Sequence, residues 1–340
     1  MQLDMKLFSL FAVTVFADQF TQRLGFDPGM FLTIPPGSAE AVTRYFTPEV
    51  FANFSAQLKA NPPVRLRKPG NQVPVTRAML KEYFEMTYLT FCPGKMVIDF
   101  DCICSKEYTD IIEINNPISQ ASVIVVAFPR KRTIAVSYAF TRSFRNWLTD
   151  LDAAAIQMPG APEGVKVHYG LYSHYMSVHN ETMAVVSKLI KTKYKGYQIF
   201  ASGYSLGASV AVLSAPFWHE FKQTHDAHVF IISYAGPRVG NLALKLYFES
   251  LSVPISRYTN QNDVVSMLPP RGLDYSHPGV EIYEYATSHN TTTFVTCSQE
   301  YDEDPNCQWR ERYHPSALRH IFPSNSFVPL PPYCSRFEQS

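Results

Sequence analysis

The chemistry in this 340-residue chain begins at Ser205, set in Gly203-Tyr204-Ser205-Leu206-Gly207. A strand-like run, Tyr197-Gln198-Ile199-Phe200, precedes it, and a helix-like run from Leu206 through Ala211, Leu213 and Phe217 follows. A serine at the apex of so sharp a strand-to-helix turn is a nucleophile elbow, and its two glycines fit because side chains there would collide. The N–H groups and positive dipole end at the start of the next helix favour a developing oxyanion. The implied reaction is acyl transfer by a serine hydrolase. A serine hydroxyl is a weak nucleophile near neutral pH, so it requires a histidine base, which in turn requires an acid to fix its tautomer. Asp263 lies 58 residues after Ser205, at the end of an expected strand, Ile255 to Thr259. Its other reading is a turn-former after Asn260-Gln261-Asn262, and Asp274 is the next candidate acid. Beyond Asp263 the available bases are His277, His289, His314 and His320.

These residues must be held by a sheet with helices around it. The spacing predicts a helix over Thr76 to Tyr88, with Met79, Leu80, Tyr83 and Phe84 on its apolar face. Strands follow at Ser122 to Phe128 and Thr133 to Tyr138, joined by a basic turn, Arg130-Lys131-Arg132. A long helix near Tyr172 to Lys191, the elbow strand, the helix after Ser205, a strand at His228 to Tyr234, and short strands near Ile255 and Ile282 complete the series. This alternation predicts an α/β fold with a mostly parallel sheet. Beyond the basic turn, Phe144, Trp147, Leu148 and Leu151 fall at i, i+3, i+4 and i+7 with Arg145, Asn146 and Asp150 opposite, as on an amphipathic helix.

Composition bounds the partners. Hydrophobic residues make up 46% of the chain, enough for a sizeable core, and 30 basic against 29 acidic residues give a net charge of +1. That balance argues against nucleic acid as a partner. Residues 1–17 read as a signal peptide: the apolar run Leu7 to Ala17 is too short to span a bilayer and ends on small residues. Asp4 offsets Lys6, so Met5 is an alternative start. Sequons at Asn53, Asn180 and Asn290 and an even count of six cysteines fit a secreted, extracellular protein with disulfides. No later segment is apolar enough to span a membrane, so no stable membrane insertion is expected. Residues 18–74, rich in proline, read as an N-terminal arm or pro-segment, and 75–340 as the catalytic domain. The cysteine spacing matches no zinc pattern, and no metal or other cofactor is expected.

Several unrelated motifs occur in one order: Phe144-Arg145-Asn146-Trp147, Lys166-Val167-His168-Tyr169-Gly170, the elbow, Gly236-Pro237-Arg238-Val239-Gly240, and Asn262-Asp263-Val264-Val265 before Leu268-Pro269-Pro270. In these, from roughly Thr76 to Cys334, the chain resembles the class 3 triacylglycerol lipases of filamentous fungi. The resemblance implies an α/β-hydrolase-like fold with a helical lid over Phe144–Leu151, and hydrolysis of triacylglycerol or another lipid ester at an oil–water interface by a monomer. It implies His320 as the base, 13 residues beyond Cys307 and 14 before Cys334, with His314 the alternative. His277 resembles a structural histidine of the family. The oxyanion hole would combine Leu206 N–H with the N–H and hydroxyl of Thr141. Disulfides Cys92–Cys334, Cys102–Cys104 and Cys297–Cys307 are implied likewise. The chain departs from the family at Ala139-Phe140, where Arg-Gly is usual, at Tyr204, where His is usual, and at Ala208, where Gly is usual. Two other readings remain open: an esterase for soluble esters, similar to feruloyl esterases, and a catalytically weak protein that binds lipid or surfaces.

Overall fold

The computed structural model describes residues 56–68, 70–88, 108–139, 155–288, 291–316 and 318–321. All fall within the compact unit Phe51–Leu330; the second unit, Met1–Val50 with Pro331–Ser340, lies outside the described residues. Eight strands form one sheet in the order β1 (Thr109–Asn116), β2 (Ala121–Phe128), β3 (Thr133–Tyr138), β6 (Gln198–Tyr204), β7 (Val229–Tyr234), β8 (Ile255–Asn260), β9 (Val280–Ser288) and β10 (Thr291–Thr296). The ladders β3–β6, β6–β7, β7–β8 and β8–β9 are parallel, and the outer pairs β1–β2, β2–β3 and β9–β10 are antiparallel. The fold is therefore α/β-hydrolase-like, with a mostly parallel central sheet. A separate two-stranded ribbon pairs β4 (Ala155–Gln157) with β5 (Lys166–His168).

Both faces of the sheet are buried, which is why its central strands read as nearly continuous apolar runs. On β2, Val123, Val125 and Ala127 join one core, while Ile124, Val126 and Phe128 join the other. The first core packs on α2 (Tyr169–Thr192), α3 (Leu206–Leu213), α4 (Ala215–His225) and α5 (Leu242–Ser250). The second packs on α1 (Arg77–Tyr88), whose Leu80, Tyr83, Phe84 and Met86 lie against Phe200, Tyr204, Ile232, Tyr234 and Tyr258. All eight residues of α3 are buried, so the helix behind Ser205 runs through the core.

Two details differ from the sequence expectation. The helix after Ser205 is not one run to Phe217: it breaks at Ser214, which ends α3 and begins α4. Pro216 in the first turn of α4 has no N–H to donate back into α3, which places the break there. The basic turn is a short 3-10 segment, Pro129–Lys131, with Arg132 in the left-handed region at φ 47°.

The described residues before α1 are hydrogen-bonded to the rest of the unit. Val64 N–H donates to Asp302, Leu66 N–H to the Glu300 carbonyl, and Gly70 N–H to the Gln299 carbonyl. Arg271 donates to the Asn61 and Pro62 carbonyls, and Ile255 N–H donates to the Gln72 side chain. Among the described residues, no helix is long and apolar enough to cross a membrane. Cys297 and Cys307 are disulfide-bonded, and the other two expected bridges lie outside the described residues.

Candidate active site

Ser205 sits between β6 and α3 with φ 55° and ψ −125°, a conformation that a non-glycine residue holds only when its surroundings fix it. Those surroundings leave no room for Cβ atoms at either glycine. A Cβ on Gly203 would lie 2.2 Å from the Gly207 carbonyl carbon, and one on Gly207 would lie 2.2 Å from the Tyr138 carbonyl oxygen. The crossing of β6, α3 and the end of β3 thus explains both glycines sterically. Ser205 N–H is tied to the Tyr234 carbonyl at 2.9 Å, which anchors the apex to β7. Leu206 opens α3, and its N–H has no partner inside the helix.

Asp263 follows β8 and is fully buried. One carboxylate oxygen, Oδ1, accepts Val265 N–H at 2.9 Å and closes the turn into a short 3-10 helix, Val265–Met267. The other, Oδ2, lies 2.9 Å from His320 Nδ1. Since a carboxylate only accepts, Nδ1 carries the proton, which leaves Nε2 as an acceptor. Nε2 is 2.7 Å from Ser205 Oγ. The three residues therefore form an unbroken relay, with Ser205 3% exposed and the His320 side chain 11% exposed.

His320 lies on the four-residue helix α6 (Leu318–Ile321), too short to hold itself. The segment is fastened to the acid loop instead. Asn260 Nδ2 donates to the Arg319 carbonyl at 2.8 Å, Ser316 N–H donates to the Asn262 carbonyl at 2.7 Å, and Val264 N–H donates back to the Ser316 carbonyl at 3.2 Å. Tyr204 Oη–H donates to the His320 carbonyl. The other candidate residues fall elsewhere. His314 is exposed, and its carbonyl accepts from Asn262. Asp274 is exposed in a left-handed turn at φ 65°. Thr141, the stripe Phe144–Leu151 and His289 lie outside the described residues.

Beneath the acid loop is a buried polar cluster, of which the sequence had marked only His277 as structural. Gln308 Nε2 donates to Ser266 Oγ at 2.7 Å and to the Asp263 carbonyl at 3.3 Å. His277 Nε2 donates to the Ser266 carbonyl at 2.7 Å, and burial with the nearby Arg257 charge holds its imidazole far below the ordinary histidine value. Arg238 makes a two-pronged pair with Glu303, Nε to Oε1 and Nη2 to Oε2, each 2.7 Å. Burial would raise the Glu303 carboxyl, but Arg238, His277 and Arg271 outweigh it and hold the group well below the usual range. Arg238 belongs to the Gly-Pro-Arg-Val-Gly motif, which was the available signal, but its partner 65 residues away gave none.

The family model for lipase (class 3) matches residues 135–273, which include the elbow and the acid loop. The lipase of Rhizomucor miehei is 27% identical over 239 residues, covering 67% of this chain and 65% of that protein. The secreted mono- and diacylglycerol lipase A of Penicillium camembertii is 30% identical over 164 residues, covering 48% and 51%. A solved triacylglycerol lipase whose catalytic centre is a serine protease triad superposes with a TM-score of 0.65 at 26% identity, covering 74% of this chain and 96% of that one. Over the elbow and the acid loop this chain is similar to the class 3 lipases. It spans less than two thirds of the length of either named sequence relative. Set against that family, Tyr204 and Ala208 stand at their expected places, on either side of the Ser205-Leu206-Gly207 turn.

Proposed function

We propose that this chain is a class 3 lipase, a secreted enzyme that hydrolyses triacylglycerol esters through an acyl-enzyme on Ser205. The observation that carries this reading is the relay from Asp263 Oδ2 through His320 to Ser205 Oγ, with links of 2.9 and 2.7 Å. In the first step Oγ forms a bond to the ester carbonyl carbon while His320 Nε2 takes its proton, and Asp263 stabilises the imidazolium. The carbonyl electron pair collects on oxygen, where the Leu206 N–H and the N–H and hydroxyl of Thr141 would receive it. Each such donor contributes about 3–4 kcal/mol in acyl-transfer enzymes. Collapse expels the glycerol oxygen, which leaves with the proton from His320. Water then adds to the acyl-enzyme by the same steps, releasing the fatty acid and restoring Ser205. No metal or cofactor takes part in this scheme.

The preference for a water-insoluble ester rests on the apolar stripe Phe144, Trp147, Leu148 and Leu151 beside Thr141. Burying each such side chain at a lipid surface would contribute roughly 1.5–3 kcal/mol. The test compares emulsified long-chain triacylglycerol with a short soluble ester, for the wild type and Ser205→Ala. Long-chain turnover that rises once an interface forms and vanishes in the variant supports the proposal. Turnover of the short ester alone assigns a soluble-ester hydrolase, and no Ser205-dependent turnover on either assigns a binding protein.

A further inference from the structure

The residue before the nucleophile makes two contacts with the proposed base, and neither belongs to the Ser–His–Asp relay itself. Tyr204 ends β6 and points to the face of the sheet opposite α3, among Phe84, Tyr234 and Tyr258. Its hydroxyl donates to the His320 backbone carbonyl across 116 positions of sequence. Its ring lies under the imidazole, with centroids 5.1 Å apart and planes 25° from parallel. We propose that Tyr204 is the positioning residue for His320: its hydroxyl fixes the backbone of the short α6, and its ring face supports the imidazolium formed when Ser205 gives up its proton.

Three observations carry this. A four-residue helix cannot hold a catalytic side chain to the few tenths of an ångström that proton transfer needs, so its precision must come from tertiary contacts. The Tyr204 ring is itself immobilised, edge-on to Phe84 at 6.1 Å, and the residue is 5% exposed. Burial, reinforced by the Asp263 charge, raises its phenol well above the ordinary value, so the hydroxyl stays protonated and able to donate wherever the enzyme works. An aromatic face attracts a cation more than a neutral ring within about 6 Å. The stack is therefore stronger in the transition state, where His320 is charged, than in the resting enzyme, and it would act on kcat rather than on binding. Where the family usually has histidine, this chain has a side chain that reaches the His320 carbonyl while keeping an aromatic face.

This inference rests on the proposed hydrolytic reading, and the experiment separates the two. Tyr204→Phe keeps the ring and removes the hydroxyl; Tyr204→Leu removes both; Tyr204→His restores the family's usual residue. For each, kcat and KM on a soluble p-nitrophenyl ester and the rate of Ser205 phosphonylation are measured, with a thermal melt to confirm folding. The expected result is a fall in kcat of about fivefold for Phe and about thirtyfold for Leu, with KM within twofold and phosphonylation slowed in parallel. Tyr204→His should lie between wild type and Leu. The low-field proton resonance of the His320–Asp263 hydrogen bond should broaden in Tyr204→Phe. Wild-type kcat in a folded Tyr204→Phe and Tyr204→His, or losses confined to KM, would overturn the proposal. Absence of Ser205-dependent turnover and labelling in the wild type would instead overturn the hydrolytic reading.

Discussion

Replacing Glu303 by glutamine should destabilise the domain far more than any surface charge change. The Glu303 carboxylate accepts both prongs of Arg238, receives His277 N–H at 3.1 Å, and lies 3.4 Å from Arg271 Nη1. Its side chain and that of Arg238 are 5% and 3% exposed. Glutamine keeps the volume but presents an N–H group to one guanidinium prong, leaving a buried cation without its counter-charge. Breaking a buried pair in this way costs about 3–5 kcal/mol. For a domain of this size that is a fall in Tm of about 10 °C. Glu300→Gln removes the partner of Arg65, where the side chains are 51% and 72% exposed, and should cost no more than about 1 kcal/mol. Urea unfolding and thermal melts of the two variants beside wild type provide the assay. Because the folded carboxyl is held below its unfolded value of about 4.3, its contribution is fully present above that pH and is lost as pH falls toward the folded value. The acid limb of the stability profile should therefore flatten in Glu303→Gln. A loss under about 1 kcal/mol, equal to that of Glu300→Gln, would mean that the buried Arg238–Glu303 pair carries no such cost.

Other outcomes follow from the same packing. Gly207→Ala places a methyl group 2.2 Å from the Tyr138 carbonyl oxygen and 2.9 Å from that of Ala139, so ester turnover should fall at least about a hundredfold with the elbow displaced; full activity would contradict the steric account. A chain that begins at residue 76 loses the hydrogen bonds from 61–72 to Arg271, Asp302 and Gln299, and should melt at least about 3 kcal/mol less stable. An unchanged melt would show that these hydrogen bonds add nothing to stability.

Much of the central sheet was legible because its strands are buried on both faces, which makes Ser122 to Phe128 and His228 to Tyr234 read as apolar runs. The edge strands were not legible for the opposite reason. Thr109–Asn116 is mostly half-exposed and carries Asp110, Glu113 and two terminal asparagines, and Thr291–Thr296 is threonine-rich beside a sequon. Helix α5 also escaped notice: it is nine residues long, and its start is set by Asn241 Oδ1, which accepts Leu244 N–H. At the candidate site, Ser205 stood out by its elbow pattern and Asp263 by its place at a strand end, with Asp274 left as the next candidate acid. The histidine did not, because its place depends on tertiary fastening by Asn260, Ser316 and Tyr204. Resemblance, rather than spacing, pointed to His320.

The proposed reaction depends above all on Ser205 as a nucleophile activated by His320. Intact-mass and peptide-mapping analysis after treatment with diethyl p-nitrophenyl phosphate measures this. The expected result is one diethylphosphoryl group per chain, located on Ser205, and its near absence in Ser205→Ala and His320→Ala. A wild type that stays unlabelled, or labelling of Ser205 that proceeds equally without His320, would contradict it.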